Sequence, residues 1–322
     1  MTPAERDASH RLTASLSLIA GPVLALVLAA PAGADEGRLE INQACAAGDG
    51  CFAGDDPGFP VEITQAGSYV LTGGLDVPAE TTGIALSVND VHIDLNGMRI
   101  AGPVTCEGSP VTSCTSETGT HHGIDGDNVN DISIRHGRLS GFSGHGIILG
   151  EGSLLREVTL SENGFHGAVI YEGSRVHVSR ASRNLNSGFD VRGEGVVRDS
   201  TANHNGGSGI DAFNAARILG SHAQFNGDVG IRVGRGSVVS NVTVHSNDEE
   251  GVFTGGSSLI RDSSIVDNAD EGVYCTSGIN PPFESLVKDV VLDGNNDGGP
   301  QFSAPECVPV GDNLCGTDTN CP

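Results

Sequence analysis

Between Gly146 and Gly272 the apolar and polar positions recur at one interval. Glycine stands at 146, 167, 188, 209, 230, 251 and 272, each 21 residues after the last. Asparagine stands four residues before six of them, at Asn163, Asn184, Asn205, Asn226, Asn247 and Asn268. An apolar residue follows each glycine (Ile147, Ala168, Phe189, Ile210, Ile231, Val252, Val273), and another apolar or small one comes two places on (Leu149, Ile170, Val191, Ala212, Val233, Thr254, Cys275). Period two marks an extended strand with one buried face. A second file runs Leu155, Val176, Val197, Ile218, Val239, Ile260, and a third Leu160, Ala181, Ala202, Ala223, Val244, Ile265, with Val158, Ser179, Ser200, Ser221, Val242 and Ser263 two places before it. Each period thus predicts three short strands separated by tight bends. A fixed period of this length predicts stacked repeats, here the coils of a parallel β-helix about 4.8 Å apart.

The asparagine file suits that geometry. A side-chain amide donates and accepts, so identical amides one coil apart can bond along the axis, whereas stacked aspartates would repel. The glycine four residues on is expected to release the bend by adopting positive φ. Leucine-rich repeats have an overlapping period, but their leucine-dense consensus is missing.

The repeat extends irregularly both ways. Val61 to Leu75 alternates, Gly83-Ile84 opens a coil with Val91, Ile93 and Leu95, and Gly123-Ile124 resumes the count 23 residues before Gly146. Residues 103–120 read as an insertion, with a smaller one around 279–284, after which Asn295 and Gly299 restore the spacing of four. Residues 35–60 and 300–322 are expected to cap the coil ends, which would otherwise be bare sheet edges.

Residues 12–32 are the one long apolar stretch, preceded by Arg6 and Arg11 and ended by Ala32-Gly33-Ala34, which reads as a signal peptide over 1–34. An uncleaved anchor is the rival, but Gly21 and Pro22 break the span. Eight cysteines in an exported chain imply disulfides. The simplest pairing is Cys45–Cys51, Cys106–Cys114 and Cys315–Cys321, leaving Cys275–Cys307 to pin the tail over the open end of the core. No C-x-x-C supports zinc. The 47 glycines suit a turn-dense repeat, and a formal charge of −24 with one lysine, Lys288, argues against nucleic-acid partners and anionic lipid.

The glycine/asparagine coils resemble the right-handed parallel β-helix repeats of the pectate-lyase-like superfamily. The opening segment, Ile41-Asn42-Gln43-Ala44-Cys45, Gly50-Cys51-Phe52, Phe59-Pro60-Val61 and Gly67-Ser68-Tyr69-Val70-Leu71-Thr72, is similar to secreted bacterial β-helix repeat proteins of unassigned function. The expected fold is all-β: a single-stranded right-handed parallel β-helix of about ten coils over 61–299, with small disulfide-bonded caps. That superfamily holds lyases, hydrolases, epimerases and non-enzymatic surface proteins, so function must be argued from a site.

Three stretches could carry chemistry. The outward file of the strand after the glycine reads Ile148, Val169, Asp190, Asp211, Arg232, Phe253, Tyr274. Asp190 and Asp211 on adjacent coils could approach to about 5 Å, the separation of a retaining glycosidase, and like charges that close raise one pKa. Arg232 continues the file, with Arg192 and Tyr171 one outward step along, where arginine could neutralise a uronate or take part in proton abstraction. Gly188-Phe189-Asp190 resembles the start of the G-F-D-P-H stretch of alginate epimerases, with Val191 in place of the proline and Arg192 in place of the histidine. The bland reading is a solvated sheet face, since the central coils carry no insertion of their own to wall a cleft.

The second stretch is a histidine file, His122, His145, His166, which could share a metal but has no evident carboxylate to orient it. Polar residues in an exposed bend are the plainer reading. In the third, Asp228, Asp248, Glu249, Glu250, Asp270 and Glu271 crowd three coils, with Glu249 over Asp270 and Glu250 over Glu271. Opposed like charges destabilise a sheet unless a cation such as calcium lies between them, or unless the turn is simply solvated. The expected function is that of a secreted rod contacting an extracellular polysaccharide, by binding or surface structure, or alternatively a lyase, hydrolase or C5-epimerase acting on uronate glycans.

Overall fold

In the computed structural model, residues 37–276, 284–303 and 306–316 are described. The expected signal peptide over 1–34, the core of the second insertion at 277–283, and Cys321 lie outside them. The sequence period becomes a stack of parallel strands. Face one is built, among the described residues, from ten strands running from Val61–Ile63 through Ile147–Leu149, Phe189–Val191 and Ile210–Ala212 to Val273–Cys275. Its register advances by one period per rung: Val169 pairs Asp190, Asp190 pairs Asp211, and Asp211 pairs Arg232. Face two stacks Arg175–His177, Val196–Arg198 and Arg217–Leu219, and face three stacks Arg180–Ser182, Thr201–Asn203 and His222–Gln224. In the coils of Ser133–Ser140 and Leu154–Ser161, faces two and three run through as one strand.

The predicted apolar files meet inside. Leu155, Val176, Val197 and Ile218 are fully buried, as are Leu160, Ala181, Ala202 and Ala223. Side-chain ladders replace backbone bonds at the bends. Nδ2 of Asn163 donates to Oδ1 of Asn184 at 2.9 Å, and the relay continues through Asn205, Asn226, Asn247 and Asn268 to Asn295. The same oxygen accepts the backbone N–H of the preceding asparagine, as when Asn184 N–H donates to Asn205 Oδ1 at 3.1 Å. Serines do likewise at the other corners: Ser200 N–H donates to Ser221 Oγ and Ser237 N–H to Ser258 Oγ. Buried backbone donors are thus satisfied where the chain turns away from sheet geometry.

The column glycines act differently from expectation. None of Gly146, Gly167, Gly188, Gly209, Gly230, Gly251 or Gly272 has positive φ. The left-handed position is instead the residue before each asparagine, occupied by Glu162, Arg183, His204, Phe225, Ser246 and Asp267 with φ between 53° and 57°. The glycine is required by contact. A Cβ on Gly167 would lie 2.6 Å from Gly188 O, 2.9 Å from Asn184 Nδ2 and 3.0 Å from Ala181 Cβ. Glycine permits the close approach of neighbouring coils beside the amide ladder.

Disulfides join Cys45–Cys51, Cys106–Cys114 and Cys275–Cys307. Cys315 is also disulfide-bonded. The four-residue helix Gln43–Ala46 sits at the N-terminal end, with Asn42 as its cap. Among the described residues, no helix is long and apolar enough to cross a membrane.

Candidate functional site

The 103–120 insertion lies beside the central coils. Cys106–Gly108 and Val111–Cys114 form an antiparallel hairpin closed by their disulfide. It precedes the regular coils in sequence but lies along their bends. Arg183 donates to Gly108 O at 2.9 Å and Cys106 O at 2.8 Å, and Val111 N–H donates to His204 O at 3.3 Å. Val104, Cys106 and Val111 bury a small apolar cluster with Leu185. Gly206 makes room, since any Cβ there would strike Val111 O. Where an insertion leaves the chain does not say which way it runs along the axis.

A few residues further along the same bends stands the histidine file, and it is neither exposed nor without a carboxylate. The rings of His122, His145 and His166 stack, with centroids 5.0 and 5.3 Å apart. His145 N–H donates to His122 Nδ1 at 3.0 Å, and His166 N–H donates to His145 Nδ1 at 3.4 Å. Since a nitrogen that accepts carries no proton, His122 and His145 are held as Nε2–H tautomers. Burial first, then the neighbouring rings and Arg192, press His145 down to about 3. His122 and His166 are also lowered by burial, opposed in His166 by Asp190.

His166 Nε2 lies 3.9 Å from Asp190 Oδ2. Although it sits on the outward side of face one, Asp190 is only 6% exposed. Arg192 holds that same oxygen with Nε and Nη2, each at 3.1 Å, and donates from Nη1 to the Tyr171 hydroxyl, also at 3.1 Å. Burial first and the nearby Asp127 second raise the pKa of the Tyr171 hydroxyl. Ile148 and Val169, earlier in the same outward file, are buried too. Oδ1 of Asp190 and Oδ1 of Asp127 are buried without a hydrogen-bond partner, which leaves two acceptors for a ligand or water.

Asp211 lies one rung beyond Asp190. Burial first and the Asp190 charge second push its pKa up to about 6, against the pull of Arg232. Arg232 donates to Asp228 at 3.1 Å and lies 4.8 Å over the Phe253 ring, which stacks on Tyr274 at 5.4 Å. Beside these, a groove of about 460 Å³ is lined by Asp211, Phe213, Asn214, Arg232, Phe253 and glycines 234, 255 and 256. Phe213 is 52% exposed.

The structure therefore gathers Asp190, Arg192 and Tyr171 into one network and places Asp211 and Arg232 on the next two rungs. Sequence reasoning missed His166 and Asp127 as members. Asp127 occupies the same outward step as Tyr171 and Arg192, but it precedes the regular array, so the 21-residue count does not reach it. The acidic bend perturbs its own carboxyl groups. Glu249 hydrogen-bonds to Asp228, and that bond, with burial, raises Glu249 to about 7. Burial, then Asp270 and Glu271, raises Glu250, while Asp248 and Asp270 are exposed. The crowding of these carboxyl groups thus raises Glu249 and Glu250 alike. Among the described residues no three or more His, Cys, Asp or Glu side chains gather so as to hold a metal ion.

The family described as "Right handed beta helix region" matches residues 122–296. No curated protein matches the sequence. Among solved structures, the A-module of mannuronan C-5 epimerase AlgE4 from Azotobacter vinelandii is 17% identical with a TM-score of 0.59, covering 86% of this chain and 84% of that one. The AlgE6 A-module of the same organism scores 0.58 at 17% identity, covering 86% of this chain and 83% of that one. The Dettilon tailspike protein scores 0.59 at 12% identity over 79% of this chain and 59% of that one. At such identities these likenesses concern the fold.

Proposed function

The chain belongs to the right-handed β-helix family, and from that premise we propose that face one binds an extracellular polysaccharide laid along the helix axis. The observation that carries this reading is the in-register file Asp190, Asp211, Arg232, Phe253, Tyr274. It offers acceptors for sugar hydroxyls, a cation for a carboxylate and the edges of two stacked aromatic rings for the apolar side of a sugar, one rung after another. The groove at Phe213 and Phe253 continues the same track. By their names, the A-modules it resembles act on mannuronan, a uronate polymer, which suits the arginines of this face. The signal-like leader and the disulfides fit a secreted protein.

The test is calorimetric titration of the mature chain with oligosaccharides, neutral and uronate, and the same titration with Asp211→Asn and Phe253→Ala. Binding weakened by both changes supports the reading; a broad panel with no binding overturns it.

One observation favours chemistry in addition to binding. Asp211, protonated up to about pH 6, stands one rung from Asp190, which is buried and gripped by Arg192. An acid beside an arginine-held carboxyl group, with Tyr171 and His166 close by, is the equipment of general acid–base work on a uronate C5–H or a glycosidic bond. Incubating polymannuronate with the protein in heavy water reads C5 exchange, and absorbance reads lyase products. Activity lost in Asp211→Asn supports catalysis; no exchange and no product leaves face one as a binding surface alone.

A further inference from the structure

The outward sides of faces two and three carry a charge pattern opposite to that of the chain. Between Ser133 and Leu219 those two faces present Arg135, Arg138, Arg156, Arg175, Arg180, Arg198 and Arg217. That is seven of the 15 arginine and lysine residues left after setting aside Arg6 and Arg11 from a total of 17. All seven are exposed. Their acidic company on the same strands and corners is Glu157 and Asp199, which pair with Arg156 and Arg198, while Asp94 on the preceding coil pairs with Arg135. The row Glu151, Glu172, Glu194 bounds the patch at the corner toward face one.

Four members, Arg138, Arg175, Arg180 and Arg217, have no ion-pair or hydrogen-bond partner for their side chains among the described residues. Their register is regular. Arg175 pairs Val196, which pairs Arg217. Arg138 pairs Thr159, which pairs Arg180. Each couple is thus two rungs apart, about 9.6 Å along the axis at the usual strand spacing. An exposed β-strand face in a chain of formal charge −24 would lower its energy by placing glutamates opposite these arginines, yet Val196 and Thr159 stand at the intervening positions, and Leu154 on the other side of Arg175. The patch is all arginine; Lys288 lies beyond it. A guanidinium binds a carboxylate or sulfate in two-point fashion, where an ammonium gives a point charge.

We infer that faces two and three form a second binding surface, for an extended polyanionic glycan whose carboxylate or sulfate groups recur at about the two-rung interval set by the strand spacing. Such a polymer runs along the axis, with alternate acidic groups on Arg138 and Arg180 or on Arg175 and Arg217, and Thr159 and Thr201 beside them to bond its hydroxyls. Together with face one, this makes the protein bivalent for polysaccharide, so that one coil stack can bridge two polymer chains.

The experiment uses the full mature chain passed over three immobilised polymers: polymannuronate, which carries carboxylates alone; dextran sulfate, which carries sulfates alone; and neutral dextran. Retention on one or both anionic columns, elution by salt, and an affinity about tenfold lower for the triple variant Arg175→Gln, Arg180→Gln, Arg217→Gln, as expected for losing three charge-assisted contacts, support the inference. The column that retains the chain names the anion. Asp211→Asn and Phe253→Ala, which alter face one, leave the arginine-dependent part of the retention unchanged, so failure here is distinguishable from failure of the face-one reading. No retention on either anionic column, retention equal on neutral dextran, retention unchanged in the triple variant, or tighter arginine-dependent capture of duplex DNA overturns it. An unchanged melting temperature in the triple variant confirms that the exposed substitutions leave the fold intact.

Discussion

Face one and the pair of faces behind it are made by the same backbone, climbing one rung per period, yet they treat charge in opposite ways. On face one, Asp190 is buried and bonded to Arg192, which also bonds Tyr171. On faces two and three, arginines stand in solvent with few partners. The difference comes from what lies beside each face. The histidine stack and the disulfide-closed hairpin flank the bend leading into face one, and the outward Ile148 and Val169 are buried there. Nothing comparable rises over Arg175 or Arg180 among the described residues. A β-helix thus makes a site by shielding a few rungs, and it makes a surface by leaving rungs bare.

The largest predicted effect removes both faces at once. Asn205→Ala deprives the Asn184 N–H and Nδ2 of their acceptor and Ala181 O of a donor, and leaving such groups buried and unmet is expected to cost roughly 3 kcal/mol or more. Urea unfolding reads this, and a loss below about 1 kcal/mol would show that the ladder is dispensable. Next comes Gly188→Ala, whose methyl would sit 2.7 Å from Gly209 O and 2.8 Å from Asn205 Nδ2. Its expected cost is about 1–3 kcal/mol, from overpacking alone. A neutral result would mean that the coils can part at little expense.

A third change separates the faces. Asp211 has a folded pKa of about 6 and an unfolded value of about 3.9. Between these the folded chain keeps a proton that the unfolded chain releases, so stability falls as pH rises from about 4 to about 6. Asp211→Asn has no such proton to lose. It should match the wild type near pH 4 and melt higher above pH 6, while weakening glycan binding on face one. A variant that melts lower at both pH values would place Asp211 in a stabilising contact instead. The smallest effect is expected from Phe253→Ala, where one aromatic contact is lost and Tyr274 remains; the loss of that contact is worth about 1 kcal/mol of binding, several-fold in affinity. If Phe253→Ala weakened retention on faces two and three as well, the two surfaces would not be independent.

Much of the candidate site was legible residue by residue. Asp190, Asp211, Arg192, Arg232 and Tyr171 were placed by counting, because every rung repeats the inward and outward alternation. His166 was seen as part of a file but not as a neighbour of Asp190. Joining them requires knowing that the bend side chain reaches the strand of the next coil. Asp127 lay outside the regular count altogether.

The sequence by itself determined the rung: its length, its three strands, the asparagine ladder, and the local disulfides Cys45–Cys51 and Cys106–Cys114. The rung follows from periodicity, because in a one-dimensional stack each repeat touches only its neighbours; the two disulfides follow from closeness along the chain. Only the tertiary structure decided that the column glycines are there for contact rather than for positive φ, that the hairpin lies along later coils, and that an outward aspartate can be buried. Those depend on how closely neighbouring coils approach and on where a side branch of chain comes to rest, and a repeating pattern encodes neither.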